Sequence, residues 1–177
     1  MEKITILALS GSLRKMSLNT AALNTLQKVA PDYVDISVFP LGDIPLFNPD
    51  REGGDIHVIE ALKAQLRRSQ GLIIASPEYA HGVTGVIKNT LDWLVSGDEF
   101  VDKPIMLINT SPRATHAQAS LKEILTTMSG RLIDRAHVTV PLLGSGLNVD
   151  MMVGNDEITT SLETGLSQFY TAICETA

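Results

Sequence analysis

The chain has 177 residues, a formal net charge of −6 and no lysine–arginine run. That length suits one domain, and without a basic footprint a surface built for nucleic-acid phosphates is excluded. With 44% hydrophobic and 19% charged residues, the chain can bury a core and is not of disordered composition. Cys174 is the single cysteine, so no intramolecular disulfide can form, which suits a reducing cytoplasm. The apolar stretch 4–9 is too short for a signal peptide, and nothing approaches the ~20 apolar residues of a membrane span. A soluble, cytoplasmic protein is expected.

Along the chain, short apolar runs alternate with segments of helical period. Residues 4–9 read as a buried strand. In 18–29, Ala22, Leu26 and Val29 share one helical face. Residues 33–39 alternate and are β-branched, which predicts a second strand. Residues 40–54 carry three prolines and three glycines and read as a long loop. Ile59, Leu62 and Leu66 mark a second helix, and 72–75 a third strand ended by Ser76-Pro77. Val83, Ile87, Leu91 and Leu94 form a helical stripe, 104–109 a fourth strand, and Ala117, Leu121, Ile124 and Met128 another helix face. Residues 137–140 read as a fifth strand, and Ile158, Leu162, Leu166, Phe169 and Ile173 as the last helix.

Continuous apolar strands alternating with helices imply a parallel sheet covered on both faces. Right-handed crossovers make the doubly wound order 2-1-3-4-5 the natural arrangement of five such units in one domain. Ligands of such sheets bind beyond the strands' C-terminal ends, near the switch point beside strand 1. The loops after strands 1, 3 and 4 are therefore the candidate functional segments.

The first loop places Ser10, Ser12, Arg14, Ser17, Asn19 and Thr20 before and within the start of a helix. Unpaired N–H groups and the dipole at a helix N-terminus favour an anion, and arginine adds a forked, charge-assisted donor. Ser17 by itself reads as a helix cap, but the concentration of donors around it points to phosphate. No G-x-G-x-x-G and no G-x-x-x-x-G-K-[ST] follows strand 1, which disfavours a dinucleotide fold and a P-loop. After strand 3, Pro77, Glu78, Tyr79, Ala80, His81 and Gly82 form a loop whose backbone could meet a flat polar ring, with Tyr79 as a stacking wall. His81 has no second ligand at a metal spacing and reads as an ordinary loop histidine. Trp93 and Leu94 read as core or interface.

These two loops resemble the NAD(P)H-dependent FMN reductase family, which includes quinone, chromate and azo-dye reductases. The family pattern G-S-[LI]-R-x-x-S-x-N is matched by Gly11-Ser12-Leu13-Arg14, Ser17 and Asn19. The pattern P-E-Y-N-x-S-x-P-G-x-L-K-N-A-[IL]-D-W is matched by Pro77-Glu78-Tyr79, Gly85, Lys88-Asn89, Asp92 and Trp93. Ala80, Gly82 and Thr84 stand where the pattern has asparagine, serine and proline. Ser111-Pro112-Arg113-Ala114-Thr115-His116-Ala117 stands where the family shows S-x-G-x-x-G-G.

The resemblance implies a flavodoxin-like three-layer sandwich, FMN as cofactor and NADPH or NADH as electron donor. It places the FMN phosphate on Ser10, Ser12, Arg14, Ser17, Asn19 and Thr20. The ring lies against 77–82, with Ser111 and Arg113 at its other edge. It implies hydride transfer to flavin N5 and on to a quinone-like or other small acceptor, with no side chain as catalytic acid or base and no metal. It also implies a homodimer or homotetramer, for which Leu41, Ile44, Leu46 and Phe47 of the long loop offer apolar surface. Two alternatives stand beside this reading: a flavodoxin-type electron carrier, and a non-flavin binding protein that keeps the phosphate site.

Overall fold

The computed structural model describes residues 2–175. Strand β1 (Ile4–Ser10) is buried at all but one position, because it lies inside a parallel sheet. On one side it pairs with β2 (Val34–Phe39), Ile4 opposite Val34. On the other it pairs with β3 (Gly71–Ala75), Ile6 opposite Gly71. Two residue pairs, β4 (Glu78–Tyr79) and β5 (Gly82–Val83), form a small antiparallel hairpin outside that sheet. Strand β6 (Pro104–Asn109) continues the main sheet beside β3, Leu72 opposite Ile105.

The fifth position differs from the single strand expected over 137–140. It is occupied by β7 (Arg131–Leu132) and β8 (Val138–Thr139), separated by a 3₁₀ turn at Asp134–Ala136, and both pair with β6. The turn adds residues to an edge strand, where an interrupted ladder is tolerated and blunts the edge. Backbone bonds resume beyond it, from Val140 N to Asn109 O at 2.8 Å and from Leu142 N to Thr110 O at 3.1 Å. The spatial order is otherwise the doubly wound 2-1-3-4-5 arrangement expected.

Alternation along β1 divides the core into two layers. Ile4, Ile6 and Ala8 pack with α1 (Leu18–Val29) and α6 (Asp156–Cys174). Leu7 and Leu9 pack with α2 (His57–Arg68), α3 (Gly85–Asp92) and α4 (Thr115–Thr127). Gly165 lets α6 lie close to the split strand, because a Cβ there would collide with the Val138 side chain. A short helix α5 (Val149–Val153) was not legible in the sequence. Asn148 caps it, and Met152 buries into the α1–α6 layer.

Helix α3 is shorter at both ends than the stripe Val83–Leu94 suggested. Val83 belongs to the hairpin and Leu94 to the turn after α3, although Leu94 and Trp93 are buried. The long loop is pinned to this helix. Trp93 Nε1 and Asn89 Nδ2 donate to the Pro45 carbonyl at 2.8 and 2.9 Å, and the Phe47 and Trp93 rings meet edge to face. Leu41 is thereby buried, Ile44 and Phe47 are half-buried, and of the four apolar residues only Leu46 is left exposed, at 82%. Among the described residues, no helix is long and apolar enough to cross a membrane.

Candidate functional site

A cleft of about 720 Å³ opens at the C-terminal ends of the strands, within the roughly 300–1,000 Å³ of small-molecule sites. Its walls come from the loops after β1, β3, β6 and β8. Of the sequence-predicted residues, Ser12, Arg14, Ser17 and Asn19 line it from the first loop, Pro77, Glu78 and Tyr79 from the second, and Ser111 and Arg113 from the third.

The first wall is built around the start of α1. Ser17 is its N-cap, with Oγ accepting from Thr20 N at 3.2 Å, so the hydroxyl hydrogen is left to donate elsewhere. Leu18 and Asn19 occupy the first helical turn, whose N–H groups have no intrahelical acceptor, and both line the cleft. Asn19 is buried, and its Oδ1 accepts from the hydroxyl of Thr110, just beyond β6, at 3.1 Å. Ser10 and Thr20 do not line the cleft. Their hydroxyls are 2.7 Å apart and satisfy one another.

The second wall is the β4–β5 hairpin. Ala80 and His81 form its two-residue corner with φ of 50° and 59°. Consecutive left-handed residues are the geometry of a type I′ turn, for which asparagine and glycine are the comfortable choices. The corner residues and Gly82 fall outside the cleft lining. His81 makes its contacts with Glu78 and with α4. Its Nδ1 lies 3.1 Å from Glu78 Oε1, and its ring meets that of His116, on α4, edge to face at 4.5 Å.

Glu78 joins this wall to the third. Its Oε2 accepts from the Ala117 amide at 2.8 Å, capping a helix that has no side-chain cap of its own. That hydrogen bond, followed by the positive potential of His81 and His116, holds the Glu78 carboxyl below its ordinary pKa against the opposing effect of burial. Arg14 and Arg113 are cations of the lining, and neither has a carboxylate partner among the described residues.

Sequence reasoning missed Met16, Thr110, Leu143, Gly144, Gly146 and Leu147. The last four follow the split strand, and Gly144 and Gly146 take φ of 78° and 67°. The Gly-Ser-Gly run was the available signal, since such glycines mark a turn at a strand's C-terminal end. No cluster of three or more metal-ligating side chains occurs among the described residues.

A doubly wound sheet with a donor-lined cleft at its switch point defines the flavodoxin-like class of α/β nucleotide-binding proteins. The chain belongs to the NADPH-dependent FMN reductase family, whose model matches residues 4–142. It is 35% identical over 143 residues to a quinone reductase of Escherichia coli, covering 76% of each chain. It is 30% identical over 145 residues to an NAD(P)H-dependent FMN reductase of Pseudomonas aeruginosa, covering 78% of each. Among solved structures it superposes on the flavoenzyme NAD(P)H:(acceptor) oxidoreductase FerB of Paracoccus denitrificans. The TM-score is 0.73 at 25% identity, with 95% of this chain and 98% of that one covered. The protein is an NAD(P)H-dependent FMN oxidoreductase.

Proposed function

We propose that FMN occupies this cleft and that the protein reduces quinones or similar flat acceptors. The observation that carries the reading is the donor set at the start of α1. An arginine, two serines and an asparagine line the cleft beside a positive helix end, a donor set suited to a phosphate. Ser12, Arg14, Ser17 and Asn19 hold the phosphate. Pro77, Glu78 and Tyr79 support one edge of the ring, Ser111 stands at the other, and Arg113 lies beyond it at the exposed rim. Bound FMN supplies the two-electron redox chemistry. The chain's own part is to hold the ring, shield it partly from water and leave one face accessible.

The rim supports the choice of acceptor. Met16, Tyr79 and Leu143 line the cleft and are 67%, 58% and 54% exposed, an apolar margin suited to a planar, weakly polar molecule. The relatives named quinone reductase agree with that choice. We assign the working form to a homodimer or homotetramer in the cytoplasm. Leu46, Val95 and Val101, each more than half exposed, support association. The single cysteine suits a reducing compartment.

The test is spectroscopic. After reconstitution with FMN and desalting, the protein is expected to keep flavin absorbance, to release FMN on denaturation, and to bleach within seconds on anaerobic mixing with NADPH or NADH. Protein that stays colourless in excess FMN refutes the site. A bound flavin that neither nucleotide reduces supports an electron carrier instead. Light scattering at one chain mass across micromolar concentrations refutes the assembly.

A further inference from the structure

Thr110 lies outside both sequence patterns, yet among the described residues it makes the one side-chain hydrogen bond between the cleft walls that follow β1 and β6. Asn19 sits in the first turn of α1 and Thr110 follows β6, so the pair spans the sheet across the intervening β3. Both residues are only 5% exposed. The Thr110 hydroxyl donates to Asn19 Oδ1 at 3.1 Å.

A carboxamide has an accepting end and a donating end, and which one meets a ligand depends on what holds the other. An Oδ1 turned to the cleft would set a partial negative charge against an anion. An Nδ2 turned there offers two N–H donors. With Oδ1 taken by Thr110, the donors are the end left for the cleft. A buried carboxamide left without this partner would also bear the cost of an unsatisfied acceptor.

We propose that Thr110 is a positioning residue for phosphate: by holding Asn19 Oδ1 it presents Asn19 Nδ2 to the terminal phosphate of the bound mononucleotide. The inference rests on the FMN reading of the cleft. It makes one corner of the site selective for a group that only accepts hydrogen bonds. Riboflavin, which ends in a hydroxyl that can also donate, has no such requirement of the carboxamide.

Thr110→Val keeps the shape of the side chain and removes the hydroxyl, and Thr110→Ser restores it. Affinities for FMN and riboflavin are read by quenching of flavin fluorescence, with thermal melts as the control for folding. Thr110→Val is expected to weaken FMN by roughly tenfold while riboflavin changes little, which is the range for one hydrogen bond to a charged group. Thr110→Ser is expected to recover most of the loss. In a double-mutant cycle, Asn19→Ala and Thr110→Val are expected to be strongly non-additive for FMN. Equal losses for both flavins, or additive effects in the cycle, overturn the inference and leave the FMN reading standing.

A second readout separates the two claims. Inorganic phosphate is titrated into the protein without flavin while the Asn19 side-chain amide resonances are followed by NMR. If wild type binds no FMN, yet its Asn19 amide shifts with phosphate and that response is lost in Thr110→Val, the positioning role holds and the FMN reading falls. If neither FMN nor phosphate moves the Asn19 amide, both fall.

Discussion

The Glu78 carboxylate accepts a hydrogen bond from the Ala117 amide at 2.8 Å, and through it the hairpin wall of the cleft is tied to the first turn of α4. Helix α4 starts at an alanine cap that contributes no side-chain hydrogen bond, so the carboxylate from a distant loop serves in its place. A negative charge also complements the positive end of the helix. The same residue thus secures a helix and sets the distance between two sides of the site.

Replacing it should separate charge from hydrogen bonding. Glu78→Gln keeps an acceptor and Glu78→Ala keeps neither. Both are expected to lower the melting temperature at neutral pH, alanine more than glutamine, and both to weaken FMN binding without abolishing it. The folded-state pKa of Glu78 lies below that of the unfolded chain. Its contribution is therefore complete above the ordinary glutamate value of ~4.3 and is lost as the pH falls through the lowered one. The acid limb of a stability–pH curve should be shallower in both variants. Parallel acid limbs would show that the charge at this position adds nothing.

The hairpin corner offers a gain instead of a loss. Ala80 at φ 50° and His81 at φ 59° are L-residues in the left-handed region, where a side chain costs roughly 1–2 kcal/mol. Asparagine tolerates that region better and is the residue the family pattern carries at this place. Ala80→Asn is expected to stabilise the protein by about 0.5–1 kcal/mol, and Ala80→Val to destabilise it, since a β-branched residue there is an outlier. Chemical denaturation measures both. A stabilising valine would mean that the corner relaxes out of its left-handed geometry.

What was legible in the sequence follows from where the physics is local. Strand runs such as Leu72-Ile73-Ile74-Ala75 and the Ser17-capped start of α1 are written in consecutive residues, and they appear where expected. The cleft-lining segments Ser12–Asn19 and Pro77–Tyr79 carried recognisable side chains at fixed offsets. The β4–β5 hairpin was hidden, because Ala80-His81 lacks the asparagine or glycine that announces such a corner. The split of the fifth strand was hidden because it is a matter of register: Leu132 and Val138 pair with Ile105 and Ile108, and the longer stretch between them on the edge side is taken up by the turn at Asp134–Ala136. Thr110 was hidden because its meaning lies in Asn19, 91 positions away.

His137, beside that break, gives the protein a pH limit. Its side chain is 14% exposed, and Asp134 Oδ1 is 3.4 Å from Nδ1. Burial, helped by the charge of Lys122, lowers its pKa against the opposing pull of Asp134 and of a hydrogen bond to the Ile105 backbone. Above the ordinary histidine value of ~6.5 both states are neutral and no penalty exists. As the pH falls below that value the unfolded chain takes up the proton more readily, so stability declines until the folded-state pKa is passed. His137→Gln is expected to flatten the curve below the ordinary histidine value. An unchanged slope would assign the decline to another group.

The two unpaired cations of the cleft should prove separable. Arg14 stands in the loop that runs into α1 and Arg113 in the turn that precedes α4. FMN has a single phosphate, and Arg14 adjoins its donor set. Arg14→Ala is expected to weaken FMN by roughly tenfold to a hundredfold, the range for a charge-assisted contact, and to leave riboflavin nearly unaffected. Equal loss for both flavins would mean that Arg14 acts through folding. Arg113 is exposed at the rim and flanked by Pro112, which has no N–H, so this turn cannot approach a ring by backbone as a glycine-rich loop does. Its free guanidinium suits a second anionic group entering from solvent, and the 2′-phosphate of NADPH is such a group. Arg113→Ala is expected to raise the KM for NADPH roughly tenfold and leave that for NADH unchanged. A lowered flavin potential with both nucleotides affected alike would place Arg113 at the ring edge. No change in KM, potential or FMN affinity would return it to solvent.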